Sequence, residues 1–252
     1  MADSSQAPRS ALTILKEHAI AHKIEVASWA IRLIAILFTL IYFIPIVGNP
    51  VNSYYKVLIA NAAISALRLN QRIPPFTFSA AFFTQLMTED SFHYLWFSLI
   101  FLYVQPVTLA LLPVFLFCLI HFSSYSLTLL DTLGQNSWWG ARLLISLVEF
   151  QSNSILRLIA FAEIFLMPSV VMMILFGKAG LFTPFMYYTF LKMRYASRRN
   201  PHTRNMFLEI RQGVEKLAAN PRCPEAVSNI LHKGIHYVCC LAPPPAEVPH
   251  QQ

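Results

Sequence analysis

Residues 91–130 read SFHYLWFSLIFLYVQPVTLALLPVFLFCLIHFSSYSLTLL, with no Lys, Arg, Asp or Glu between Asp90 and Asp131. As helix, at about 1.5 Å per residue, this run would reach roughly 60 Å, twice the ~30 Å hydrocarbon thickness of a bilayer. One straight span cannot use all of it. The break falls at Gln105-Pro106, because proline removes a backbone donor and pushes the preceding residue away from helix. Two readings follow: a tight hairpin of helices Phe92 to Val104 and Val107 to Ser124, or one kinked span with an interfacial extension. Both place the run in lipid. A soluble core helix would carry polar residues every third or fourth position, and here they are mostly Ser and Thr.

Composition points the same way. The 252-residue chain is 56% apolar and 12% charged, against roughly 25% charged in an ordinary soluble domain. The net charge is +7 and is unevenly placed. From Lys178 onward ten Lys or Arg face four Glu, whereas the first 177 residues are nearly neutral. The positive-inside tendency therefore puts the C-terminal tail in the cytosol. Cys118, Cys223, Cys239 and Cys240 form no Cys-x-x-Cys, so neither a disulfide framework nor a zinc site is expected.

Residues 1–25 are a helix-prone lead-in with a disordered start and no cleavable signal. A first span runs from Val26 to Val47, with Arg32 about two turns inside it and within snorkelling reach of the headgroups. Tyr54 to Asn70 is helical but broken by Lys56, Asn61 and Arg68. It reads as lying in the interface or packed on the spans, and Phe76 to Leu86 as a second short apolar piece. Residues 131–154 read as a polar connection, Ile155 to Phe176 as the next span, and Leu181 to Tyr195 as a short or re-entrant element. With three full spans the N-terminus would lie in the lumen, opposite the tail. Opening the central run into two spans would make four.

The membrane domain is thus 26–197. The tail, 198–241, carries Met206, Phe207, Ile210, Val214 and Leu217 on one helical face, and Val227, Ile230, Leu231, Ile235 and Val238 on another. Residues 242–252 read as disordered. The basic run Lys192, Arg194, Arg198, Arg199 and Arg204 contains no acid. At about 1 kcal/mol per residue near an anionic leaflet, and with Phe207, Ile210 and Val214 beside it, this run should hold the membrane surface. A basic cluster of this kind can also be read by a nuclear import receptor.

Glu163 is the sharpest single residue, since intramembrane acids often mark function. It reads either as a proton relay or cation site of a transporter or channel, or as a hydrogen-bonding group paired across helices, with Arg32 or Asn61 as partner. His93 and His121 read as headgroup-level residues. The pairs His18/His22 and His232/His236 share a face each but lack the glutamate and third ligand of a metalloprotease site. No phosphate loop or nucleophile elbow occurs. No catalysis, cofactor, metal, nucleic acid or small-molecule substrate is expected.

Several stretches together resemble the transmembrane protein 33 family, also called the Krüppel homolog 2 family, which includes yeast nuclear-pore-associated membrane proteins. They are Leu58-Ile59-Ala60-Asn61-Ala62 with Ser65-Ala66-Leu67-Arg68-Leu69, Glu89-Asp90-Ser91 with His93-Tyr94-Leu95, Pro106-Val107-Thr108, Glu163-Ile164-Phe165-Leu166-Met167-Pro168, and Arg194-Tyr195 with Ser197-Arg198-Arg199-Asn200-Pro201. The resemblance covers about 26–240. It implies a multi-pass protein of the endoplasmic reticulum and nuclear envelope without known catalysis. It also implies links to tubule shape through reticulon-type proteins, to nuclear pores and to the unfolded-protein response. The expected fold is all-α and polytopic, with interfacial helices and a cytosolic amphipathic tail.

Overall fold

In the computed structural model, residues 11–44, 48–135, 138–197 and 199–242 are described. The expectations for the first ten residues, for the end of the first span, for Arg198 and for the last ten residues lie outside them. Every element among the described residues is helical: α1 (Ala11–Ala21), α2 (Lys23–Phe43), α3 (Pro50–Arg72), α4 (Ala80–Thr88), α5 (Asp90–Leu102), α6 (Thr108–Thr132), α7 (Trp139–Ile145), α8 (Ser152–Leu175), α9 (Thr183–Ala196), α10 (His202–Ala218) and α11 (Glu225–Leu241).

The central run is a hairpin, broken where Gln105-Pro106 required it. Its arms are unequal. α5 has 13 residues, while α6 has 25 and continues past Ser124 to Thr132. α2, α6 and α8 are the three helices long and apolar enough to cross a membrane. At about 1.5 Å per residue each matches the ~30 Å hydrocarbon core. Pro113 in α6 and Pro168 in α8 sit inside spans without ending them, as neighbouring helices in a membrane allow. Glycine ends both helices. Gly134 and Gly177 adopt φ of 66° and 65°. The bonds Gln135 N to Leu130 O (3.0 Å) and Lys178 N to Met173 O (2.8 Å) then close a Schellman motif at each end.

The remaining helices run back and forth beside the spans. α3 is capped by Asn49, whose Oδ1 accepts from Val51 N at 2.8 Å, with Pro50 in its first turn. It packs on α2 and α5 and buries Tyr54, Val57, Leu58 and Ile64. Its polar residues Ser53, Asn61 and Ser65 are buried too, which settles the sequence alternatives in favour of packing. α5 and α9 pair as two short helices through Phe97, Phe101, Tyr187 and Phe190, and Trp96 Nε1 donates to Met186 O at 3.2 Å.

These passes give the bundle two ends. At the far end the close of α2 meets the start of α6, with Tyr42 and Thr108 hydroxyls 2.7 Å apart, and Gln105 N reaches Lys178 O at 3.5 Å. At the tail end lie the start of α2, the end of α3, the start of α5, the end of α9 and the start of α10. α1 belongs to that end as well, because His18 Nε2 lies 3.0 Å from the Tyr125 hydroxyl late in α6. The expectation of an N-terminus opposite the tail is therefore corrected. α3, α5 and α9 reverse the chain between the apolar spans, so both ends of the chain's helical body share one face. Residues 131–154 also hold more structure than a polar connection. α7 buries Ala141 against the end of α6, and a single π turn, Ser146–Phe150, leads into α8.

Candidate functional site

α8 presents Ile159, Glu163, Leu166 and Val170 at helical spacing to the bundle interior, so Glu163 is a core residue, with 0% of its surface exposed. α9 presents Tyr187, Phe190, Leu191 and Arg194 on one face in the same way, and Arg194 is 1% exposed. The two charged groups meet. Arg194 Nε lies 3.2 Å from both carboxylate oxygens of Glu163. The Tyr94 hydroxyl of α5 donates to Glu163 Oε1. Thr203 Oγ1, in the first turn of α10, donates to Oε2 at 3.2 Å. The Tyr187 hydroxyl donates to the backbone carbonyl of Glu163 at 2.7 Å. A carboxylate offers about four lone-pair sites, and here side chains from α5, α9 and α10 occupy them.

The cluster continues outward to the tail junction. Arg194 Nη1 lies 3.3 Å from Asp90 Oδ1, which also accepts from Ser197 Oγ at 2.9 Å. Ser197 Oγ in turn accepts Asn200 N at 3.3 Å, and Asn200 Oδ1 accepts His202 N at 3.2 Å, so the α9–α10 turn is pinned to the start of α5. Glu89 holds Arg199 at 2.9 Å and Arg72 at 3.5 Å. Arg194 also stacks its guanidinium over the Tyr94 ring at 5.2 Å. His202 is held below the ordinary imidazole value by burial and then by the charges of Arg194 and Arg157, so it adds no cation to the junction at neutral pH.

Removing one partner from a buried ion pair leaves the other uncompensated, at roughly 3–5 kcal/mol. The arrangement is therefore a lock on how α10 leaves the membrane domain. A hydrogen bond to a charged group contributes about 1.5–3 kcal/mol, against about 1 for a neutral one. Tyr94→Phe is accordingly expected to lower the unfolding midpoint in detergent more than Tyr187→Phe, whose hydroxyl meets only a backbone carbonyl. Equal losses would show that the Tyr94–Glu163 bond is not charge-assisted.

Several sequence expectations change here. Glu163 takes Arg194, Tyr94 and Thr203 as partners rather than Arg32 or Asn61. Asn61 instead donates to Ser98 Oγ at 2.8 Å and to Tyr94 O at 3.4 Å. Arg32 lies with Arg68 in a cleft that adjoins the cluster, without a bond to Glu163. Arg194 is withdrawn from the membrane-surface set by its burial, and Arg199 is engaged by Glu89. Lys192 and Arg204 remain exposed. His93 is fully buried, with Nε2 2.8 Å from Met87 O, rather than at headgroup level, and His121 lines the Arg32 cleft. The partners closed around Glu163 leave it no exposed surface, which does not support a transport path through it. Thr203, Tyr94 and Tyr187 were not singled out in the sequence as Glu163 partners, nor Asp90 as a partner of Arg194. The i, i+3, i+4, i+7 spacing from Tyr187 to Arg194 was the available sign that Arg194 faces inward.

The tail helices divide their faces. α10 packs on α8, with Met206 buried, Phe207 against the Tyr195 ring at 5.7 Å, and an outer ion pair of Arg157 Nη2 with Glu209 at 2.8 Å. Ile210 and Val214 are half-buried on the same helix. α11 lies against α10 and is tied to α9 by the Tyr188 hydroxyl, 2.8 Å from Leu241 O. It buries no residue and leaves Val227, Ile230, Tyr237 and Val238 exposed, Ile230 at 68%. Among the described residues no group of three His, Cys, Asp or Glu is placed to hold a metal ion.

Fold and site together define an all-α polytopic membrane protein whose tail is fastened to its bundle by a buried charged cluster. The chain belongs to the transmembrane protein 33/nucleoporin POM33 family, whose model matches residues 6–244. It is 51% identical over 229 residues to Krueppel homolog 2 of Drosophila melanogaster, covering 91% of this chain and 82% of that protein. It is 41% identical over 224 residues to transmembrane protein 33 of Homo sapiens, covering 88% of this chain and 91% of that one. The Caenorhabditis elegans homolog is 38% identical over 240 residues, 93% of this chain and 87% of its own. No solved structure matches the chain.

Proposed function

We propose that this protein is a non-enzymatic scaffold of the endoplasmic reticulum membrane and nuclear envelope. In this reading its helical body sits in the bilayer with the tail end facing the cytosol. The tail holds partners there and biases membrane shape. The partners are reticulon-type proteins in the tubular network, nuclear pore or import-receptor components at the envelope, and factors of the unfolded-protein response. The observation that carries the reading is the position of α11. It is tethered beside the bundle at α9 and α10, yet its apolar residues Val227, Ile230, Tyr237 and Val238 are left open. A helix with one apolar and one polar face, held at that level, lies in the interface plane and wedges headgroups apart. The word nucleoporin in the family's description supports the envelope assignment.

The test is proximity labelling in intact cells, comparing the full chain with one lacking residues 200–252. Reticulon-type and nuclear pore neighbours are expected to be lost with the tail while the chain stays in the membrane. An unchanged set of neighbours would remove the tail from the function.

A further inference from the structure

Two adjoining cavities, each of about 240 Å³, open at the tail end. The first lies between α2, α3 and α6, and the second reaches on to α5 and α9, where Asp90, already paired with Arg194, is its one carboxylate among the described residues. Arg32, Arg68, Arg72 and His121 line both. We propose that this cleft binds the phosphate-bearing headgroup of an anionic membrane lipid.

The charge accounting leads there. Arg194 is matched by Glu163 and Asp90, and Arg72 and Arg199 share Glu89. Arg32 and Arg68 have no carboxylate within ion-pair distance among the described residues. The nearest acid on α2, Glu25, sits at the rim, half-exposed and turned to His22 at 3.8 Å. Arg32 is 5% exposed, and its Nη2 finds no acceptor in the protein. Arg194 lines the second cavity too, but its guanidinium is already committed to Glu163 and Asp90. A buried guanidinium without an acceptor carries a large desolvation cost. Arg32 and Arg68, which line both cavities without a carboxylate partner, offer two guanidinium groups to one cleft, and phosphate is the anion whose geometry fits guanidinium donors in pairs.

The surroundings select a lipid over a free ion. α2 and α6 are long and apolar enough to cross a membrane, and Arg32 lies about 14 Å along α2 from its first residue, so the cleft opens towards one end of two such helices, where lipid headgroups would gather. Ile64, Phe117 and Cys118 give the second cavity an apolar side. Together the cavities fall in the ~300–1,000 Å³ class of small-molecule sites, larger than a bare phosphate needs. This inference does not depend on the scaffold reading. A chain that binds the lipid but keeps its neighbours after tail deletion would refute only the latter.

The test uses the full chain in detergent micelles, with native mass spectrometry after adding phosphatidylinositol 4-phosphate or phosphatidylcholine. A one-to-one adduct favouring the anionic lipid by at least about tenfold is expected. Arg32→Gln with Arg68→Gln should abolish the preference, since a charge-assisted contact carries about tenfold or more. Lys192→Gln with Arg204→Gln should keep it. Arg68→Gln alone, at a half-buried position, serves if the double variant does not fold, and should weaken the adduct. Millimolar inorganic phosphate should not displace the lipid. No preference in the native chain, a preference indifferent to Arg68, or full displacement by inorganic phosphate would each overturn the proposal.

Discussion

Glu163→Ala is expected to destabilise the membrane domain by up to about 3–5 kcal/mol, because it leaves the buried Arg194 with the partly exposed Asp90 as its remaining carboxylate partner. The loss should appear as a lower midpoint in detergent denaturation, and first at the tail. Thr203 and Arg194 both point at the missing carboxylate, so α10 and α9 each lose their bond to the α8 side chain, while the α9–α10 turn keeps its tie to Asp90. The diagnostic companion is the double change Glu163→Leu with Arg194→Met. Removing both charges in favour of apolar groups of similar length commonly costs far less than removing one. The double variant is expected to recover most of the midpoint, and the coupling between the two positions to exceed about 2 kcal/mol in a double-mutant cycle. Additive losses would mean that the two residues do not act as a pair.

The second large effect concerns the open side of α11. A segment spanning 200–241 is expected to bind small anionic vesicles more tightly than large neutral ones, since apolar burial and attraction to anionic lipid both contribute. Ile230→Asp with Val238→Asp removes two exposed apolar groups from that side and adds two charges of the wrong sign. Full burial of such side chains is worth about 1.5–3 kcal/mol each. Partial burial in the interface with added repulsion gives a loss of about 3 kcal/mol, on the order of 100-fold in affinity. Unchanged vesicle binding would show that this face meets something other than lipid. Two of the five basic residues grouped as a surface patch are committed elsewhere, because Arg194 is buried and Arg199 is paired with Glu89.

The elements that sequence reading located were those with strong local marks. Pro106 broke the central run and Gly177 ended α8, each through backbone chemistry that acts within a few residues, whereas the Asn49 cap and Pro50 that start α3 went unread and that helix was begun at Tyr54. The reading went astray where polarity was spent inside the bundle. α3 looked too polar to cross alone, and its placement stayed open between the interface and packing on the spans, because hydropathy counts Ser53, Asn61 and Ser65 without knowing that they face inward and, for Asn61, bond to α5. With α3 not counted as a pass, the three-span reading put α1 on the face opposite the tail. Arg194 was grouped with its charged neighbours in the chain, although its helical phase matched Tyr187, Phe190 and Leu191 instead. The partner of Glu163 was sought on α2 or α3 because sequence spacing carries no information on which helices touch. Asp90 read as a helix-terminal acid, and its bond to Ser197, 107 positions away, could only come from the fold.

The central claim is that the Glu163 cluster fastens α10 to the bundle. It is tested most directly by the distance between spin labels placed at Arg157 on α8 and Glu209 on α10, whose side chains now touch at 2.8 Å, measured in the full chain in lipid by double electron–electron resonance. That ion pair is itself exposed and worth at most about 1 kcal/mol, so labelling it should leave the junction intact. One short, narrow distance is predicted with Glu163 present, and a longer, broad distribution with Glu163→Ala. A broad distribution with Glu163 in place, or a narrow one that survives its loss, would contradict the account.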